Sequence, residues 1–312
     1  MRAAFYGTPH FAVPALESLA RIADVALVVC QPDKPHGRGL EVRHPPVKVR
    51  ALELGLPVAQ PTKLRNGELA AELRALQLDV ALVIAYGRIL PADVLGAPRI
   101  GSLNLHASLL PKYRGAAPIT WAIVRGETET GITLMQMDEG TDTGPMLHEE
   151  RLDIGPDETQ AELSTRLSAL AGQMVESHLA RAVAGELVAR GQPDQGITMA
   201  PLLQKGHGRI DWVQSAQTVH DLVRGMSPWP GGHTVLQGKT IRVHATRIST
   251  GRATAAYPPG HVFLADKQGV YVATGAGAIE LVQVQLEGKR AVTAAEWVHG
   301  RGVKVGDSFE VP

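Results

Sequence analysis

Ala3-Ala-Phe-Tyr-Gly-Thr-Pro9, close to the start of this 312-residue chain, places four apolar or aromatic residues directly before a glycine-containing turn. Apolar residues then recur at helical spacing over Phe11–Ala20. A short buried-type strand, a glycine turn and a helix in this order are typical of a doubly wound α/β domain. We therefore predict a Rossmann-like, mostly parallel sheet for the first part of the chain.

Two further apolar runs, Val25–Cys30 and Val80–Ala85, alternate with helical patterns and agree with a parallel sheet that is covered on both faces. Ligands of such sheets bind beyond the carboxyl ends of the strands. Gly7, Tyr86-Gly87 and His106–Pro111 all fall at predicted strand ends. We expect a binding site at this edge.

The run Ser102-Leu-Asn-Leu-His106 alternates in polarity. In a strand, Leu103 and Leu105 point to one face, while Asn104 and His106 lie side by side on the other. An amide donor beside a titratable imidazole is suited to polarising a carbonyl group. On this run alone, an ordinary strand end with solvated polar residues remains an open interpretation.

A glycine-rich acidic loop, Asp138-Glu-Gly-Thr-Asp142, separates the predicted strands Ile132–Met137 and Met146–Ile154. The simple interpretation is a hairpin loop, but such a loop is also a candidate position for a catalytic carboxylate. An amide, a histidine and a nearby carboxylate fit acyl transfer to a substrate amine without a covalent enzyme intermediate.

The pattern changes after a segment rich in Gly, Pro and Gln. Ser215–Gly225 is predicted to be a helix, and short strands with glycine turns follow it. This arrangement suggests a small β-barrel of the oligonucleotide-binding (OB) type. We predict a first domain at 1–190, a linker at 191–208 and an OB-like domain at 209–312.

Composition narrows the class of protein. The chain is 44% hydrophobic and 20% charged with a formal net charge of +0, which fits a globular protein with substantial cores. Residues 1–203 carry a net charge of −4 and residues 204–312 a net charge of +4, so a polyanionic partner is plausible for the second part. With Cys30 as its one cysteine and without a long apolar run, the chain is expected in the cytoplasm.

Several enzyme classes lose support. The sequence has neither a Gly-x-Gly-x-x-Gly after the first strand nor a phosphate-binding Gly-x-x-x-x-Gly-Lys-Ser/Thr motif. It also has no His-Glu-x-x-His and no Cys/His cluster, so we predict no metal site. Ser108 lacks the Gly-x-Ser-x-Gly elbow of many serine hydrolases.

Longer motifs add a resemblance to a known family. They are Phe5-Tyr-Gly-Thr-Pro-His-Phe11, Gln31-Pro-Asp-Lys-Pro-His-Gly-Arg38-Gly, Asn104-Leu-His-Ala-Ser-Leu-Leu-Pro111, Tyr113-Arg-Gly-Ala-Ala-Pro118, Met137-Asp-Glu-Gly-Thr-Asp-Thr-Gly-Pro145 and Pro228-Trp-Pro-Gly231. Over nearly its whole length the chain resembles the methionyl-tRNA formyltransferase family, one of the 10-formyltetrahydrofolate-dependent formyltransferases. The resemblance implies that 10-formyltetrahydrofolate donates a formyl group to the α-amine of methionyl initiator tRNA.

The resemblance also implies roles for individual residues. Asn104, His106 and Asp142 match the catalytic residues of the family. The turn Ser108, Leu109, Leu110 and Pro111 matches its folate-binding loop, and Tyr86 and Gly87 are expected to line the same cleft. Arg38 matches an arginine implicated in tRNA recognition, and we expect Lys34, Arg43 and Lys48 of the same basic loop to contact phosphates.

Two points stay open. The family commonly has lysines just after Arg38, whereas this chain has Leu40-Glu-Val-Arg43, which leaves the contacts beyond Arg38 undecided. Within the same chemistry, the acceptor is alternatively an amino sugar nucleotide or another small amine. We expect the protein to act as a monomer.

Overall fold

The structure is a computed structural model that describes residues 1–36, 41–249 and 257–312. The chain divides into two compact units. The first comprises Met1–Pro118, Thr130–Leu152 and Ser164–Ala200, and the second comprises Ile119–Glu129, Asp153–Leu163 and Pro201–Pro312. The linker at 191–208 stays a prediction.

A mixed sheet organises the first unit. Strands β3 (Lys34–His36) and β4 (Glu41–Arg43) form a separate two-stranded hairpin. The strands of the mixed sheet are β1 (Arg2–Tyr6), β2 (Asp24–Val29), β5 (Val58–Ala59), β6 (Val80–Val83), β7 (Ser102–His106), β8 (Glu129–Gln136) and β9 (Met146–Asp153). The sheet order is β5-β2-β1-β6-β7-β8-β9. In this order, each strand from β5 through β2, β1 and β6 to β7 pairs in parallel with its neighbour. Strand β7 pairs antiparallel with β8. The predicted mostly parallel α/β sheet is confirmed.

Helices connect the strands of this sheet and continue along the chain. They are α1 (Val13–Ile22), α2 (Pro46–Glu53), α3 (Glu68–Ala75), α4 (Ala92–Leu95), α5 (Pro118–Val124), α6 (Gln160–Met174), α7 (Ala180–Val183), α8 (Ala216–Gly225) and α9 (Ala294–His299). Short 3-10 turns lie at His10–Ala12 and Lys205–Gly208, and a π-helical turn at Val175–Leu179 joins α6 to α7. Among the described residues, no helix has the length and apolarity needed to cross a membrane.

Element ends differ from the sequence prediction in three places. Apolar residues at helical spacing from Leu163 to Leu179 predict a long helix to about Arg190, but the helix ends at Val183, because Gly185 takes a left-handed φ of 75° that stops it. The sequence also predicts a short helix over Gly115–Val124, which begins at Pro118 instead, since proline favours a first helical turn and Gly115 has a φ of 116°. The loop predicted over residues 31–49 contains the β3–β4 hairpin and the first turn of α2.

The second unit contains an antiparallel sheet. Its strands are β10 (Gly232–Leu236), β11 (Lys239–Ser249), β12 (Val262–Asp266), β13 (Gly269–Ala273), β14 (Ala278–Leu286) and β15 (Ala291–Thr293). The order is β10-β11-β14-β13-β12, with β15 beside β14. Bridges from Leu236 to Phe309 and from His261 to Ser308 join the last segment of the chain to both edges of the sheet. This closure agrees with the predicted OB-like barrel.

Trp212 belongs to the hydrophobic core of the second unit. Its side chain is fully buried, and its ring stacks on Phe309 at a centroid distance of 5.1 Å. The indole Nε1–H donates to the Thr234 hydroxyl at 2.9 Å, so the polar atom of this large side chain has a partner. Among the described residues, Trp212 is the largest side chain that is fully buried.

Candidate active site

Asn104 and His106 lie on β7, between the parallel strand β6 and the antiparallel strand β8. Alternation along the strand places both side chains on one face, while Leu103 and Leu105 occupy the other. Both polar side chains are buried, at 8% and 6% exposure. A buried amide and imidazole are therefore held by strand pairing on both sides rather than by a mobile loop.

The loop between β8 and β9 brings Asp142 to these two side chains. The residue adopts a left-handed φ of 53°, a conformation that aspartate tolerates better than most residues. Its Oδ1 lies 3.5 Å from Nδ1 of His106 and accepts a hydrogen bond from Nδ2 of Asn104 at 3.4 Å. The structure thus brings together the three residues that the sequence singled out for catalysis.

Backbone contacts orient two of these groups. The N–H of Gly115 donates to Oδ2 of Asp142 at 2.8 Å, which leaves Oδ1 turned toward Asn104 and His106. Nε2 of His106 lies 2.8 Å from the carbonyl oxygen of Tyr113. Because a carbonyl oxygen only accepts, Nε2 carries a proton and donates it.

The site can therefore donate hydrogen bonds to a carbonyl oxygen and accept a proton, and it offers no activated hydroxyl. Ser108 is fully buried, and its Oγ–H donates to the carbonyl oxygen of Lys112 at 2.6 Å. A nucleophile needs a base within hydrogen-bonding reach, but this hydroxyl is engaged with the backbone. The arrangement favours direct acyl transfer between substrates.

The turn Ser108–Pro111 directly follows β7. The Thr133 hydroxyl on β8 donates to the Ser108 carbonyl at 2.7 Å and accepts from the Leu110 N–H at 3.2 Å, so one side chain fixes both ends of the turn. Leu110 is buried, whereas Leu109 and Pro111 are partly exposed. These two residues offer an apolar surface in the turn that follows β7.

Tyr86 and Gly87 follow β6, the neighbour of the catalytic strand. The Tyr86 side chain is 2% exposed and packs edge-on against Tyr6, and burial raises its pKa. Gln31 Nε2 donates to the carbonyl oxygens of Tyr86 and Gly87 at 2.9 and 3.3 Å. The Tyr86 ring thus belongs to the core, and only the backbone of this pair faces the strand ends.

The four cations of the predicted tRNA-binding loop have different environments. Lys34 and Arg43 are exposed and pair in register across the β3–β4 hairpin. Lys48 donates to Asp33 at 2.6 Å, a contact that, with donors from Gln60 and His44, lowers the pKa of Asp33 to about 2. Arg38 lies outside the described residues. Lys34 and Arg43 are therefore better placed for phosphate contacts than Lys48.

Gln192 lies in the segment predicted as a linker, but it supports the Asp142 loop. Nε2 of Gln192 donates to the carbonyl oxygens of Asp142 and Gly144 at 2.7 and 2.9 Å, and its Oε1 accepts from the Arg114 guanidinium. The Thr198 hydroxyl accepts from the N–H of Tyr113, the residue whose carbonyl holds His106. No local pattern could reveal these supports, because their partners lie tens of residues away in the sequence.

Comparison with known proteins identifies the family. A formyl transferase model matches residues 1–179, and a formyl transferase C-terminal domain model matches residues 202–302. A methionyl-tRNA formyltransferase of Sorangium cellulosum is 56% identical over 98% of this chain and 98% of the relative. The chain belongs to the methionyl-tRNA formyltransferase family. A second such formyltransferase, of Myxococcus xanthus, is 47% identical and covers 98% of this chain and 96% of its own length. The family predicted from the motifs is confirmed.

Solved structures share the fold of this formyltransferase. The sugar 3N-formyl transferase WlaRD, solved in the presence of dTDP and 5-N-formyl-THF, has a TM-score of 0.68 at 15% identity and covers 93% of this chain and 99% of its own. HypX from Aquifex aeolicus in complex with tetrahydrofolic acid has a TM-score of 0.63 at 18% identity, with 98% of this chain but 48% of HypX covered. At these identities the likeness concerns the fold alone.

Gln192→Ala is expected to lower the kcat of formyl transfer by about tenfold to a hundredfold with the fold intact, because a misplaced Asp142 loses its alignment with His106. Steady-state kinetics measures kcat, and circular dichroism checks that the fold is intact. Gln173→Ala, at an exposed glutamine of α6, is the matched control. A kcat unchanged in Gln192→Ala would show that the Asp142 loop holds its geometry unaided.

Proposed function

We propose that this formyltransferase moves the formyl group of 10-formyltetrahydrofolate to the free α-amine of methionyl initiator tRNA. A bond forms between the methionyl nitrogen and the formyl carbon, and the bond from that carbon to N10 of the folate breaks. The amine loses one proton and N10 gains one. Relatives named methionyl-tRNA formyltransferase, 56% and 47% identical over 98% of the chain, support this acceptor over the amino sugar nucleotide.

One observation carries the proposed chemistry: Oδ1 of Asp142 lies within 3.5 Å of a nitrogen of both His106 and Asn104. The carboxylate holds both groups in place through these contacts. The imidazole and the amide lie together on one face of β7. Such preorganised donors stabilise negative charge that develops on a reacting carbonyl oxygen.

Each residue has a role in this mechanism. Asn104 donates through Nδ2 to the formyl oxygen as that oxygen gains negative charge. Because Nε2 is engaged with Tyr113, His106 donates to the same oxygen through Nδ1–H, which it shares with Oδ1 of Asp142 at 3.5 Å. Asp142 orients and charges His106, or it accepts the amine proton through a water molecule. The burial of Asn104 and His106 limits competition from water for the reacting oxygen.

For the donor, we propose that the turn Ser108, Leu109, Leu110 and Pro111, together with the backbone of Tyr86 and Gly87, forms part of the folate-binding cleft. The partly exposed Leu109 and Pro111 support this assignment, since they offer apolar surface in the turn that directly follows the strand of His106. We further propose that catalysis requires no metal ion and that the protein acts as a monomer in the cytoplasm. Size-exclusion chromatography with light scattering measures the oligomeric state.

For the acceptor, we propose phosphate contacts from Lys34, Arg38 and Arg43. Replacing Lys34 and Arg43 by alanine should weaken tRNA binding and lower the slope of log affinity against log salt concentration by about 0.7–0.9 for each phosphate that is no longer neutralised. Filter binding over a salt series measures both. Arg99→Ala, which removes an exposed cation already paired with Asp79, is the control. A salt slope equal to that of the unaltered protein would exclude both residues from the interface.

Acceptor identity is tested with labelled 10-formyltetrahydrofolate and the full chain. Methionyl initiator tRNA is expected to become labelled, with much less label on methionyl elongator tRNA and none on a dTDP-linked amino sugar. A separate incubation without any amine measures hydrolysis of the donor, which should be slow. Labelling of the amino sugar in preference to the tRNA would overturn the proposal.

A further inference from the structure

His148, Glu150 and His178 form a cluster on the first unit that the proposed chemistry does not use. His148 and Glu150 stand two residues apart on β9, the edge strand of the sheet, so their side chains project from the same face. His178 belongs to the π-helical turn Val175–Leu179. Turns of this kind are rare and are often found at functional sites.

The three side chains converge closely. The two imidazole rings stack with a centroid distance of 3.8 Å and an interplanar angle of 17°. Nε2 of His148 lies 3.4 Å from Oε1 of Glu150. One ligand atom from each of the three residues lies within 4.8 Å of the other two. Three side chains of types that bind metals therefore lie close together.

One polar atom of the cluster has no partner. Nδ1 of His178 is buried and lacks a hydrogen bond within the described part of the chain. Buried polar atoms in folded proteins nearly always have a partner, and an unpaired one therefore calls for an explanation such as a missing ion.

We propose that His148, Glu150 and His178 bind one Zn²⁺ ion, which fastens the edge strand β9 to the π-helical turn. Two imidazoles and a carboxylate are a known zinc ligand set, with a water molecule at the fourth position. With zinc–ligand bonds of about 2.0–2.1 Å, two ligands of a tetrahedral site lie about 3.3–3.4 Å apart. The His148–Glu150 separation already matches this value, and the other separations shorten when the stacked rings turn toward the ion.

The neighbouring charges permit a cation at this place. Arg181, one turn beyond His178, is close enough to disfavour extra positive charge there. Its guanidinium pairs with Glu186 at 3.5 Å, which offsets that repulsion in part. Glu150 supplies the negative charge within the ligand set itself. The proposed site therefore holds a net charge of +1 with zinc bound.

Isothermal titration of the untagged full chain with ZnCl₂ tests the proposal. One equivalent is expected to bind with a dissociation constant in the micromolar range or below, and Zn²⁺ should raise the Tm. His178→Asn and Glu150→Gln should each weaken binding at least about tenfold. His299→Asn, at an exposed histidine of α9, is the matched control and should bind as the unaltered chain does.

Formyl transfer by these variants should stay close to that of the unaltered chain, since none of the three residues lies in the catalytic cluster. Glu150 is partly exposed, so Glu150→Gln keeps the test decisive if His178→Asn does not fold. Dissociation constants above 1 mM for the unaltered chain, or equal binding by Glu150→Gln and the unaltered chain, would overturn the proposal and leave a simple stacked histidine pair.

Discussion

Asn104→Ala, His106→Ala and Asp142→Ala are each expected to slow single-turnover formyl transfer by about 10²–10³ while the protein stays folded. Each substitution removes a donor to the developing oxyanion or the carboxylate that charges such a donor. All three side chains lie at the end of β7, where Asp142 contacts both Asn104 and His106 within 3.5 Å. Rapid-quench measurement of labelled formyl-methionyl-tRNA gives the rates.

Ser102→Ala is the matched control for these variants. Ser102 lies on the same strand and face as Asn104, is also buried, and donates to the Leu95 carbonyl at 3.0 Å, away from Asp142. Its loss should affect stability more than the rate. A rate in Asp142→Ala within a few-fold of the unaltered rate would contradict the assigned role of the carboxylate.

Trp212→Ala is expected to lower the free energy of unfolding by about 3–5 kcal/mol, the usual cost of truncating a large buried aromatic side chain. The substitution leaves a cavity beside Phe309 and takes away the indole N–H that donates to Thr234. Urea denaturation followed by circular dichroism measures the loss.

Trp229→Ala provides the comparison, because Trp229 is 52% exposed and its truncation leaves no cavity. Its effect on unfolding should stay within about 0.5 kcal/mol, as for most surface substitutions. Similar losses in the two variants would show that Trp212 does not organise the core of the second unit.

Local patterns predicted much of the fold and part of the site. Alternation placed Asn104 and His106 on one strand face, and the structure has them there because strand geometry is set by neighbouring residues. The sequence Thr293-x-x-Glu296 is a capping pattern that predicts the start of a short helix, and α9 begins there with Glu296 and Thr293 bonded reciprocally. Short-range signals were sufficient for both features.

Long-range contacts were beyond local patterns. Gln192 supports the Asp142 loop from a segment without periodicity, so composition alone assigned it to a linker. The cluster of His148, Glu150 and His178 was missed for a similar reason. A His-x-Glu pair is common on strands, and the third residue lies 28 positions later on a π-helical turn, whose spacing no standard metal motif contains.

The double-mutant cycle of His106→Asn and Asp142→Asn tests the central claim, that these residues act as one unit in formyl transfer to methionyl initiator tRNA. The unaltered chain should form labelled product, and each single variant should be about 10²–10³ slower. With Asp142 acting through His106, the double variant should be about as slow as the slower single variant. Losses that multiply in the double variant would show that the two residues do not act as one unit and would assign Asp142 the separate role of accepting the amine proton. An unaltered chain that forms no formyl-methionyl-tRNA would contradict the account.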